Sequence, residues 1–260
     1  MDIKKIKRAK GFLFDLDGVF IQSDKLLPGA LETIKVLENK SIPFRFLTNT
    51  TTKSRNTLHM MLLNMGIECK KEHIFSAGYS GIQTIREMGN PSCRLYISDD
   101  LKKDYKIFNL KASNPKLIVI GDYEGWDFTM LNQAFNYVMN GAEILALHLG
   151  KYYKVDSGLR LDSGSIVKAL EYATDKKAIV VGKPSIKFFK AALDDLNLDP
   201  NEVLMIGDDL DNDIYGAKRI KVDGILVKTG KYHPKILEMN HIKPYGLFDS
   251  IGNLAKILSS

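Results

Sequence analysis

Short apolar runs alternate with amphipathic segments along almost the whole chain, and several of the runs end abruptly in acidic or hydroxyl residues. Such alternation is the pattern of βα units around a parallel sheet, whose strands are covered on both faces and so read as continuous apolar stretches. It predicts a doubly wound, Rossmann-like α/β core. The first strand is expected at Gly11–Leu16, and Pro28 should open a helix whose apolar positions Leu31, Ile34 and Leu37 follow helical spacing. A second strand, Ile42–Leu47, leads into a helix from about Lys53 to Met65 that stops at Gly66. Strands Leu95–Ser98, Leu117–Gly121 and Glu143–His148 then alternate with helices Phe128–Asn140 and Gly164–Ala173, with an extended segment at Lys151–Val155. The last third returns to the opening rhythm. Strands Ala178–Val181, Val203–Ile206 and Ile225–Val227 accompany helices at Ser185–Leu196 and near Tyr215–Arg219.

Runs that end in polar motifs fall in roughly the first 78 residues and again after residue 178, whereas the middle has fewer acidic strand ends. The expected organisation is therefore a core domain at 1–78 and 179–260, interrupted by an inserted α/β domain at 79–178. A chain of 260 residues is long enough for this, and 45% hydrophobic with 26% charged content is ordinary for a globular protein. No apolar run is long enough to span a membrane. The basic start, MDIKKIKRAK, imitates a signal peptide, but Asp15 and Asp17 interrupt the apolar segment behind it and no small-residue cleavage site follows. These features are read as cytoplasmic, with no membrane partner, and the basic run as a solvated tail. Cys69 and Cys93 have no metal-ligand spacing and are read as reduced thiols. The net charge of +6 is spread along the chain, which argues against a nucleic-acid partner.

Four expected strand ends place polar side chains where the chain turns. They carry Asp15 and Asp17; Thr48, Asn49 and Thr50; Gly182, Lys183 and Pro184; and Gly207, Asp208 and Asp209, with Asp213 beyond. In open α/β sheets ligands bind outside the carboxyl ends of the strands. If the four strands are neighbours, their tips form one crevice. Clustered carboxylates repel one another unless a cation lies among them, and an all-oxygen donor set suits Mg²⁺. A single Lys serves as a point charge for phosphate, and a hydroxyl with a nearby backbone N–H can hold phosphoryl oxygens. One carboxylate can attack phosphorus, and a second can give and take the proton. Taken singly, each motif reads as a turn, a helix cap or a solvated loop. Four of them in this order do not. His59, His73, His148, His233 and His241 show no ligand spacing and read as surface or packing residues.

DLDGV, LTNTT, VGKP and GDDLDND resemble, in order, the four signature motifs of the haloacid dehalogenase-like hydrolase superfamily. The large insert between the second and third is similar to the type-2 cap (nagD-like) subclass. KYYKVDSGLRLDSGSIVKALEYATDKKAIVVGKPSIKFF, MIGDDLDNDIYGA and GILVKTGKY resemble those members that hydrolyse pyrophosphate and P–N bonded phosphoamino acids.

The resemblance implies a Mg²⁺-dependent phosphatase with Asp15 as nucleophile and Asp17 as general acid/base. Asp15, the backbone carbonyl of Asp17 and Asp208 would hold the metal. Thr48, Asn49 and Lys183 would bind the phosphoryl group, and Asp209 and Asp213 would orient metal waters or the loop. DNDI departs from the nagD-like pattern, which has Thr before the last Asp, and leaves Asn212 without a role. A small phosphorylated substrate is implied, with DYEGWDF (Asp122 to Phe128) and DSGLRLDSG (Asp156 to Gly164) as candidate contacts on an insert that closes over the crevice. Trp126 reads equally as a core aromatic. A homodimer through the cap is expected by analogy. A phosphomutase of the same superfamily and a receiver-type signalling module are the alternatives.

Overall fold

The computed structural model describes residues 2–23, 25–155, 158–239 and 241–260. The chain divides into two compact units, Met1–Thr48 with His59–Phe75 and Lys183–Ser260, and Asn49–Leu58 with Ser76–Gly182.

The first unit is built on a six-stranded sheet in the order Gly246–Phe248, Asp223–Val227, Val203–Gly207, Gly11–Asp15, Phe44–Thr48, Ile74–Ser76. Pairings from Phe44–Thr48 across to Gly246–Phe248 are parallel, and Phe14 lies opposite both Ile206 and Phe46. Every residue of Gly11–Asp15 is buried, as the unbroken apolar run requires of a central strand covered on both faces. Phe20 packs edge to face against both Phe14 and Phe46, with ring centroids 5.1 Å apart in each pair. Pro28 does not open the first long helix: Gly29 takes φ 85° and the helix begins at Ala30. Its buried stripe is Ala30, Thr33, Ile34 and Leu37, while Leu31 is 42% exposed.

The basic N-terminus is not a solvated tail. Asp2 caps a helix, Ile3–Arg8, by accepting from the Lys4 N–H at 2.8 Å; Ile6 is fully buried, and Lys5 pairs with Asp223.

The second unit carries a four-stranded parallel sheet in the order Ile179–Val180, Glu143–Ala146, Leu117–Ile120, Cys93–Tyr96. Helices Phe128–Met139 and Ser163–Thr174 flank it, and a hairpin pairs Tyr152–Val155 with Gly158–Leu161. This sheet corrects one expectation. The strand before Lys183 is not a neighbour of the other three motif-bearing strands, because Ile179 pairs with Leu145. A two-residue strand of β-branched side chains suits either sheet, and only long-range register decides between them.

Helices Ala77–Glu87, Asp99–Tyr105 and Gly252–Ser259, and strands Ile74–Ser76 and Gly246–Phe248, have no counterpart in the sequence expectation. Among the described residues no helix is long and apolar enough to cross a membrane.

Candidate active site

Adjacent parallel strands of the first unit end side by side, so Asp15, Thr48 and Asp208 come from neighbouring strand tips. Thr48 is buried there with 1% exposure. Asp15 is buried too, and its Oδ1 accepts from the Leu16 N–H at 2.8 Å and from Lys183 Nζ at 2.6 Å. Lys183 follows the second unit's edge strand and opens the turn into the helix Ile186–Leu196, through a cis bond to Pro184. Its Nζ also reaches Asp213 Oδ1 at 2.8 Å and the Leu47 carbonyl at 3.4 Å. The motif thus delivers its ammonium to the core carboxylates although its strand belongs elsewhere.

The neighbouring ammonium groups do not offset the burial of three carboxylates, and the pKa values of the acids rise. Burial, reinforced by the like charge of Asp208, raises Asp15 to about 7 against the pull of Lys183. Asp208 rises to about 6 through burial and Asp213, and Asp213 to about 8 through burial and Asp15. Burial works against the charge on Lys183, but Asp15 and Asp213 outweigh it and hold the ammonium well above its usual pKa.

Asp208 shows what this cluster lacks. Its Oδ2 accepts from the Lys231 N–H at 2.7 Å, whereas its Oδ1 is buried with no hydrogen-bond partner among the described residues. Asp15, Asp208 and Asp213 each offer an oxygen within 4.8 Å of the others. An orphaned carboxylate oxygen in an all-oxygen group fits a Mg²⁺ ion. Two glycines wrap this carboxylate. Gly18 (φ 82°) and Gly230 (φ 64°) lie so close that a Cβ on either would meet Asp208 Oδ2, at 2.1 and 2.0 Å respectively. Thr229 Oγ1 donates to the Gly18 carbonyl at 2.5 Å and closes the arrangement.

Asp17 is exposed, beyond the strand end at Asp15, in an isolated bridge with Ile21. Asp209 caps the turn Leu210–Tyr215, accepting from the Asp211 and Asn212 N–H groups, from Asn212 Nδ2 at 2.8 Å and from Lys231 Nζ at 3.0 Å. Asn212 therefore has a role, as a clamp on Asp209. Asp213 Oδ2 accepts from the Asp209 N–H at 3.1 Å and its Oδ1 faces Lys183. The sequence reading missed Thr229 and Lys231, although VKTGKY shows the same polar strand end as the other motifs.

Asn49 falls in the second unit, beside Gly182, where an added Cβ would meet Asn49 Oδ1 at 2.7 Å. The same unit corrects the reading of the histidines. His148 forms a group with Asp122 and Asp162, one residue from each candidate substrate stretch, with ligand atoms within 4.8 Å. Asp156 and Ser157 of the second stretch lie outside the described residues. Trp126 stacks on Tyr96 at 4.7 Å and meets Tyr123 edge-on at 5.6 Å, so it is a core aromatic.

The pattern described as haloacid dehalogenase-like hydrolase matches residues 12–111, and the one described as HAD-hydrolase-like matches residues 180–254. Human haloacid dehalogenase-like hydrolase domain-containing protein 2 is 38% identical over 92% of this chain and 92% of its own. The phospholysine phosphohistidine inorganic pyrophosphate phosphatase of Danio rerio is 39% identical over 88% of this chain and 86% of its own. Among solved structures, the 4-nitrophenylphosphatase of Thermotoga maritima superposes with a TM-score of 0.91, at 27% identity, over 98% of this chain and 99% of that one.

Proposed function

The chain belongs to the haloacid dehalogenase-like hydrolases, and on that premise we propose that it is a Mg²⁺-dependent phosphohydrolase working through an aspartyl-phosphate on Asp15. The observation that carries this reading is the Lys183 ammonium held between Asp15 and Asp213 beside the orphaned oxygen of Asp208.

Asp15, Asp208 and the backbone carbonyl of Asp17 would hold Mg²⁺, which supplies positive charge to the carboxylates and to the phosphoryl oxygens. Both hydrogen bonds to Asp15 end on Oδ1, which leaves Oδ2 to attack phosphorus. As the bond from phosphorus to the leaving atom breaks, Asp17, on its exposed turn, gives that atom a proton. The chain then carries an acyl phosphate on Asp15. Asp17, now a carboxylate, takes a proton from water; the hydroxide adds to phosphorus and Asp15 leaves with its oxygen restored. Lys183 neutralises charge on Asp15 and the phosphoryl group throughout, and Thr48 and Asn49 orient the phosphoryl oxygens. Asp209 and Asp213 hold the loop that carries Asp208.

We assign catalysis to the first unit and substrate selection to the second, which contains the insert that the sequence expectation bounds at 79–178. Similarity to a pyrophosphate and phosphoamino acid phosphatase supports small phosphorylated substrates, with pyrophosphate and P–N bonded phosphoamino acids among them. The test is phosphate release from a panel of phosphoesters, phosphoramidates and pyrophosphate with added Mg²⁺. Wild type should turn over repeatedly and Asp15→Asn should not, with its unfolding midpoint retained. An Asp15→Asn protein that still turns over would remove Asp15 as nucleophile.

A further inference from the structure

Residues 49–54, directly after Thr48, have no regular secondary structure, so neither a ladder nor a helix holds this turn. Side chains of the second unit do. Thr51 is fully buried; its Oγ1 donates to Asp122 Oδ2 at 2.8 Å and accepts from the Asp122 N–H at 2.8 Å. The Thr51 N–H donates to the same Oδ2 at 3.3 Å, and Ser98 Oγ donates to the Thr51 carbonyl at 3.1 Å.

Asp122 is itself held. His148 Nε2 faces Asp122 Oδ1 at 3.4 Å, with Ser163 Oγ at 3.3 Å and Thr51 Oγ1 at 3.4 Å. The Gly150 N–H donates to His148 Nδ1 at 3.2 Å, which turns Nε2 toward Asp122 and Thr51. Burial would raise the pKa of Asp122, but the hydrogen bond and the electrostatic pull of His148, with the hydrogen bond from Thr51, outweigh it and hold the carboxyl below its usual value. Asp162 caps the helix Ser163–Thr174 through the Ser163 N–H at 2.6 Å. Gly182, just before Lys183, lies close by: an added Cβ there would be 2.2 Å from the Leu147 carbonyl and 2.7 Å from Asn49 Oδ1.

We propose that Asp122, held by His148, is a positioning residue for the phosphate-binding turn: by clamping Thr51 it sets the backbone at Asn49 and Thr50. The proposal rests on the reading of Asn49 as a phosphoryl ligand. Backbone and amide donors bind phosphate well only when the turn is already ordered, since otherwise binding must order it.

The test compares full-length wild type, Thr51→Val, Thr51→Ser and Asp122→Ala by calorimetric titration with inorganic phosphate in the presence of Mg²⁺, by titration with Mg²⁺ alone, and by steady-state kinetics. Thr51→Val and Asp122→Ala should weaken phosphate binding about tenfold, the scale of one lost charge-assisted hydrogen bond, and raise KM alike. Affinity for Mg²⁺ should not change, because its proposed ligands lie in the first unit. Thr51→Ser, which keeps the hydroxyl, should bind phosphate like wild type. Unaltered phosphate affinity in Thr51→Val and Asp122→Ala overturns the proposal. So does a parallel loss of Mg²⁺ affinity and unfolding midpoint, which would mark a general structural role. A wild type that binds neither Mg²⁺ nor phosphate overturns the parent reading and this one with it.

Discussion

Asp208 is the residue on which the candidate centre turns, because its two oxygens are treated so differently. Oδ2 is fastened by the Lys231 N–H and enclosed by two glycines, and Oδ1 is buried with no partner among the described residues. The carboxylate is thus held in one orientation before any cation arrives. Gly18→Ala should cost about 1–2 kcal/mol in backbone strain at φ 82° and should also displace Asp208, whose Oδ2 the new Cβ would meet at 2.1 Å. The expected outcome is a lowered unfolding midpoint together with loss of the midpoint increase that the proposed Mg²⁺ site predicts for wild type. Gly89 is the control, since its φ is 83° but an added Cβ meets nothing within 4 Å. Gly89→Ala should show the strain and keep the Mg²⁺ response. Equal Mg²⁺ responses in the two variants would remove the cradle from the account.

At the scale of elements, three parallel strands present the carboxylates and the threonine, while the ammonium arrives on a turn that leaves the other sheet. The N-terminal helix shows how a charged segment becomes part of the fold. Its basic residues face outward or pair with acids, as Lys5 does with Asp223, and a single apolar residue, Ile6, docks it. Ile6→Ala should destabilise the protein by about 2–5 kcal/mol, the usual range for truncating a fully buried side chain. A denaturant titration would measure this, and Mg²⁺ affinity should be unchanged. A loss below about 0.5 kcal/mol, typical of surface positions, would return the segment to a solvated tail.

Over the whole molecule, the buried acids tie stability to pH and to the cation. Asp15, Asp208 and Asp213 have folded-state pKa values of about 7, 6 and 8, above the ordinary 3.8 they regain on unfolding. The folded state therefore binds more protons than the unfolded chain, and this contribution to stability is lost progressively as pH rises from about 4 through the folded values, to about 8. On the proposed reading Mg²⁺ competes with those protons. The midpoint gain at a fixed Mg²⁺ concentration should increase from about pH 6 to about pH 8 and then level off. Thermal unfolding across that range with and without Mg²⁺ checks the sign; a gain that shrinks with pH would contradict the assigned carboxylates.

Asp15, Thr48, Lys183 and Asp208 were legible from sequence because each stands next to an apolar run or a turn signal, and strand ends in parallel sheets converge on one edge. The α/β class was legible for the same reason: hydrophobic periodicity is a local property. The tertiary structure decided the rest. It gave the strand before Lys183 to the second sheet, since pairing with Leu145 depends on register across a long stretch of chain. It found a role for Asn212 as the clamp on Asp209. It brought Thr51, Asp122, His148 and Asp162 together from four separate segments, where no spacing recorded their meeting. Residue types at strand ends announce chemistry locally, whereas the contacts that orient them form only when distant segments pack.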